Sequence, residues 1–245
     1  MGVDICYFMD HDFEITSIEN FLSDFCKRAN ISISKDKIIE LINQNISSSD
    51  YPFENTLELS FSLDKYSFYF VLDSNKNFLK DYGIKINYID DVADLSFEVF
   101  KGNIFLHDMK TNGNDEIDFL RWNHLVHYFD TDTDFSKKWT EKLFSLLKTY
   151  LVPIFHFTKV LLTADSSSYR HETFIDFFIE GFSIEFILNL NESLFNPPCK
   201  VFRNQKCFGN KRKDYYDGEI GPLYLFDIVY QIRIFKLCLG QIKIN

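Results

Sequence analysis

The chain has 245 residues, with 26 basic and 36 acidic groups for a net charge of −10. That length is enough to bury a core without disulfide staples, and 46% hydrophobic with 25% charged residues is ordinary globular material rather than disordered or fibrous. The acidity argues against a general nucleic-acid binder, which needs clustered Lys and Arg to neutralise phosphates.

Aromatic residues reach 18%, including 28 Phe and 13 Tyr, while alanine occurs only at Ala29, Ala93 and Ala164. With abundant Asn, Lys and Ile, this is the bias AT-rich codons give, as in a low-GC bacterial or phage genome. Met1-Gly2-Val3-Asp4 opens no secretory signal, and no apolar run reaches the length of a membrane helix. The five cysteines, Cys6, Cys26, Cys199, Cys207 and Cys238, are scattered and form no CxxC. Reduced, buried thiols in a cytoplasm are the expectation.

Val3, Ile5, Tyr7 and Met9 alternate with Asp4, Cys6 and Phe8, which predicts a first strand. Thr16 and Glu19 have capping-box spacing ahead of Ile18, Phe21, Leu22 and Phe25, which predicts a helix over 17–29. Ser34 caps a second helix carrying Ile38, Ile39, Leu41, Ile42 and Ile46, ended by the run from Ser47 to Pro52. Leu57, Leu59, Phe61 and Leu63 alternate with polar residues, and Tyr66, Phe68, Phe70 and Leu72 repeat the pattern after Asp64-Lys65. This predicts a β-hairpin with one buried face. Short strands are expected at Ile84–Tyr88, Leu95–Phe100 and Asn103–His107.

From Asp115 the period becomes helical, with one helix through Ile117, Leu120 and Tyr128 and another from Trp139 to Tyr150 that Pro153 stops. Strands are expected at Ile154–Thr163, Glu172–Glu180 and Phe182–Leu190. For 172–180 a helical reading also fits Phe174, Phe177 and Phe178, and Leu223–Leu237 fits either helix or strand. The fold class is therefore α+β, mainly antiparallel sheet with helix pairs packed on it. The expected domain is 1–245, with two pseudo-similar α-α-β-β lobes, 1–110 and 111–245, as the variant reading. Helices near 17 and 115, helices near 35 and 137, and hairpins near 57 and 154 motivate the lobes.

Three groups of residues carry candidate chemistry. Asp130, Asp132, Asp134 and Glu141 have the spacing of a calcium loop, but Phe135 stands where the sharp turn needs glycine. His124 and His127 lie one turn apart before Asp130, and His171 or Glu172 could complete a zinc-type centre for metal-assisted hydrolysis. Against both stand the ordinary roles of such residues, helix capping by Asp132 and Asp134 above all. The third group is a basic strip of Lys200, Arg203, Lys206, Lys211, Arg212 and Lys213, interleaved with Phe202, Phe208, Tyr215 and Tyr216. GxSxG, GxxxxGK[ST] and GxGxxG motifs are all absent. The leading expectation is a non-catalytic, cytosolic interaction protein without cofactor, of the kind that neutralises a basic effector as immunity or antitoxin-like proteins do. The alternative is a metal-dependent hydrolase or calcium-binding protein using His124–Glu141.

Overall fold

The computed structural model describes residues 4–111, 142–165, 169–199, 201–203 and 223–228. The fold is α+β. Among the described residues ten strands form one sheet: β1 (Asp4–Met9), β2 (Ile46–Ser49), β3 (Thr56–Leu63), β4 (Tyr66–Leu72), β5 (Ile84–Ile89), β6 (Ala93–Val99), β7 (Ile104–Thr111), β8 (Lys159–Asp165), β9 (Val201–Arg203) and β10 (Leu223–Asp227). Their order is β2-β3-β4-β5-β6-β7-β1-β8-β10-β9. Every neighbouring pair is antiparallel except β10 with β9.

The helices of the first half start where short polar side chains can take orphan N–H groups. In α1 (Ile18–Arg28) the cap is Ser17, whose Oγ accepts from the Asn20 N–H at 3.3 Å. Thr16, the residue expected there, instead accepts from the Asn20 side-chain amide. Glu19 in the first turn and Lys27 and Arg28 in the last suit the helix dipole. Ser34 caps α2 (Lys35–Asn45) as expected. The chain then enters β2 directly, so Ser47–Ser49 is a strand and not only a helix-ending loop. The hairpin forms as expected, with Leu57 opposite Leu72, Leu63 opposite Tyr66, and Asp64 turning at a left-handed φ of 54°.

The second half differs from expectation. Pro153 does not stop the helix before it: residues 142–146 are helical, a π-helical turn follows at Leu147–Leu151, and α3 (Val152–Phe155) carries Pro153 in its first turn. Pro tolerates that position because no helical bond is needed from its nitrogen. Strand β8 accordingly starts at Lys159 rather than Ile154. Segments 172–180 and 182–190 are helical, not strands, within α4 (Tyr169–Ile179) and α5 (Ile184–Leu194). The i, i+4 pair Phe174 and Phe178 is fully buried, with the Phe178 ring stacked 3.7 Å from that of Phe8. A single helical face meets the sheet there, and that burial overrides the β-like composition. The hairpin expected near 154 is therefore not formed with 172–180, while the helix expected from 115 lies outside the described residues, as does the start of the next one. Leu223–Asp227 is strand, while 229–237 lies outside the described residues.

The sheet separates two cores. Phe61, Phe68, Ile86, Phe97, Leu106, Tyr7, Leu162 and Tyr224 are successive register partners across eight strands. All are buried in the larger core, beneath α1, α2 and the 142–155 stretch. Edge-on aromatic pairs fill it, including Phe25 with Tyr66 and Phe68, and Phe97 with Phe155. On the other face, Cys6, Phe8, Leu161, Leu223 and Leu225 form a smaller core with α4 and α5. Cys6, Cys26 and Cys199 carry buried thiols. Among the described residues no helix is long and apolar enough to cross a membrane.

The smaller layer is tied to the sheet by Asn103. Helix α4 ends in a glycine motif in which Gly181, at φ 83°, donates to Phe178 O and Phe182 donates to Phe177 O. The rings of Phe177 and Phe182 pack together over it. Gly102 sits so close that a Cβ there would lie 2.4 Å from Gly181 O. Beside it the fully buried Asn103 amide donates to Phe178 O at 3.0 Å and to Phe182 O at 2.9 Å. Asn103→Ala takes the side-chain donor from both carbonyls, leaving Phe178 O with the Gly181 N–H alone, and should cost about 1–3 kcal/mol. Asn103→Asp sets a carboxylate against them and should cost at least as much, both read by denaturant unfolding.

Candidate protein-interaction surface

His124, His127, Asp130, Asp132, Asp134 and Glu141 lie outside the described residues, as do Lys200, Lys206, Lys211, Arg212 and Lys213. Of the basic strip, Arg203 is placed, exposed at the end of β9. His171 and Glu172 fall within α4, but their side chains are outside the description. Among the described residues, no group of three or more His, Cys, Asp or Glu side chains is arranged to hold a metal ion. Two polar constellations absent from the sequence reading are present instead.

The first lies where β1 leaves the sheet. The Asp10 carboxylate accepts from the Thr158 N–H, the Thr158 hydroxyl and the Lys159 N–H at 2.6–2.7 Å, clamping the start of β8. Asp12 pairs with Arg28 and lies 2.9 Å from His156 Nδ1. Burial opposes the Asp12 charge, but hydrogen bonds from Arg28 and His156 outweigh it and hold the carboxyl below its usual range. Arg28 also binds Asp24 and Ile154 O and stacks over the Phe13 ring. These bonds join β1 to α1, α3 and β8, so the donors and acceptors are spent on the fold.

His11 completes this knot. Its Nε2 lies 2.6 Å from Phe100 O, and its Nδ1 accepts from the Phe13 N–H at 3.1 Å. That pairing needs the neutral ring, because one nitrogen must donate and the other accept. Burial lowers the His11 pKa from its ordinary 6.5; the Phe100 hydrogen bond, Asp12 and Asp10 pull the other way, and Arg28 adds to the lowering. A histidine whose folded pKa is depressed takes its proton first in the unfolded chain, so stability present above 6.5 is lost as pH falls from there toward the folded value. Stability of the native chain should therefore drop between pH 7 and 5. His11→Gln, which keeps a donor and an acceptor but gains no proton, should flatten that part of the curve in denaturant titrations.

The second constellation spans the sheet. Ser60, Tyr69, Lys85, Glu98, Phe105, Phe8, Leu161 and Leu225 are successive register partners, on the face opposite the larger core. The row is apolar where α4 and α5 cover it and polar over β3–β6. Glu98, only 9% exposed, lies 3.2 Å from Lys85 Nζ and 3.1 Å from His107 Nε2. The register slips between Ser96 and Phe97, so Ser96 faces Asp108, Phe97 faces Leu106, and His107 is the extra residue of a bulge. His107 shares a face with Phe105 by the strand's alternation, so it lies against Glu98 and on the Phe105 ring, 4.3 Å away. Burial works against the Glu98 charge, but His107 and Lys85 prevail and hold its pKa below the ordinary 4.5. Tyr69 is pushed up by burial and by Glu58, with Tyr51 contributing.

Beside this row stand large apolar side chains in water: Tyr51 is 71% exposed, Phe53 56%, Ile89 60% and Val92 54%. Phe53 packs edge-on against Tyr82. Such a face, with aromatic and aliphatic anchors at its margins and paired charges between them, is suited to meeting another macromolecule's surface. Its outward residues were readable as the polar half of the β3–β5 alternation. Tyr51 and Phe53 were hidden in a stretch that reads as loop. Compared with family models, curated proteins and solved structures, the chain matches none.

Proposed function

We propose that the chain is a non-catalytic interaction protein that binds a basic protein partner on the open half of its sheet, as an immunity or antitoxin-like neutraliser would. The observation that carries this reading is the uneven cover of the sheet. Among the described residues one face is packed from β3 to β10, while over β3–β6 the other keeps a polar row flanked by exposed Tyr51, Phe53 and Ile89. Large exposed aromatics are what binding hot spots are made of. The net charge of −10 would speed encounter with a basic partner and repel acidic ones. A reducing cytoplasm is the setting this reading takes, supported by the buried thiols.

The test starts from affinity capture by the full chain, followed by calorimetry on the purified pair. A basic protein should bind one to one, with association slowed by salt. Tyr51→Ala with Phe53→Ala should weaken it at least tenfold, about 1.4 kcal/mol, while Lys37→Ala on the exposed side of α2 should leave it unchanged. A partner indifferent to Tyr51 and Phe53, or one that is acidic, would overturn the assignment of this face.

A further inference from the structure

The outer strand on the open side, β2, is unusual for a sheet edge. Its sequence is Ile46-Ser47-Ser48-Ser49, with neither charge nor proline, whereas edge strands are commonly guarded by Lys, Pro or a bulge. It pairs with β3 on one side, Ile46 opposite Leu59 through Ser49 opposite Thr56. In such a ladder alternate residues turn their N–H and C=O groups to the other side. Ser47 and Ser48 are exposed. The strand leads straight into the two most exposed aromatic anchors, Tyr51 and Phe53.

Charge says what kind of chain this edge would take. Asp50 and Glu54 flank the two aromatics in sequence and are exposed, Glu58 accepts from Ser49 Oγ at 2.8 Å, and Asp81 adjoins Tyr82, the ring partner of Phe53. Lys80 is the one base between these segments in sequence from Asp50 to Glu58 and from Lys80 to Tyr82. A second copy of this chain is disfavoured as occupant, since each copy carries −10.

The geometry points to β2 as an acceptor strand for an extended segment of a partner protein in which basic and apolar residues alternate. The segment adds to the sheet through main-chain hydrogen bonds, its apolar side chains meet Tyr51 and Phe53, and its basic ones meet the carboxylates of Asp50, Glu54, Glu58 and Asp81. This rests on the protein-binding reading above and names the mode of engagement.

The probe is an acetylated ten-residue peptide of alternating lysine and valine, titrated into the full chain and read by hydrogen exchange. Saturable binding is expected, with exchange slowed at least tenfold at outward-facing amides within Ser47–Ser49 and with affinity falling as salt rises. Methylating alternate peptide nitrogens, which removes the strand-forming donors but keeps the charge, should cost at least tenfold. So should replacing lysine by glutamate, or introducing Ser47→Lys with Ser48→Lys into the protein, a change of exposed side chains that leaves the ladder intact. Equal binding of the methylated peptide, equal binding of the glutamate peptide, or protection elsewhere would overturn the inference. So would protection of β2 that grows with protein concentration alone, which would mean pairing between copies. If the peptide fails while Tyr51 and Phe53 still govern the captured partner, the strand-addition mode falls and the protein-binding reading stands.

Discussion

The structure depends on burying one strand on both faces. Cys6, Tyr7, Phe8 and Met9 are consecutive and all buried, so β1 has no solvent side over these four residues. A strand of that kind is stable only inside a sheet with cover above and below. It is inserted between β7 and β8, and through it the first and second halves of the chain become one sheet. Tyr7 and Met9 enter the larger core, while Cys6 and Phe8 enter the smaller. Neither layer of helices could be removed without exposing part of this strand.

From that strand the polar features follow. A buried central strand must leave the sheet somewhere, and its exit is where Asp10, His11 and Asp12 use up their hydrogen-bonding capacity on Thr158, Lys159, Phe100, Phe13, Arg28 and His156. The side chains resemble catalytic residues by type, yet each is engaged in holding chain segments together. Asn103 does the same for the smaller layer, satisfying carbonyls at the turn between α4 and α5. Buried polar groups of this sort stabilise little in net terms but are costly to leave unpaired, which is why they specify how layers sit.

The second layer of helices covers only part of the sheet, and this makes the open face. Where α4 and α5 end, the transverse row passes from Phe8 and Phe105 to Glu98, Lys85 and Tyr69. Glu98 keeps its charge in a half-dry position because the Lys85 ammonium and the His107 ring both lie against its carboxylate. The face is thus organised rather than merely uncovered, and its exposed aromatics lie next to an unguarded edge. An acidic interaction protein is the reading that uses all of these features together.

By itself the sequence determined the α+β class, the first two helices and the strands from β3 to β7, because local period decides which side of an element is apolar. Ser34 and the Asp64-Lys65 turn are legible for the same local reason. Tertiary structure decided that 169–179 and 184–194 are helices, since Phe174 and Phe178 suit either period until Phe8 offers them one face to pack on. It also decided that Ser47–Ser49 is a strand, which takes β3 as a partner to reveal. The surface row joins residues from four separate strands, and no sequence spacing records a register between them. Local propensity is written in neighbours; the meeting of distant segments is settled by which apolar faces can be buried at once.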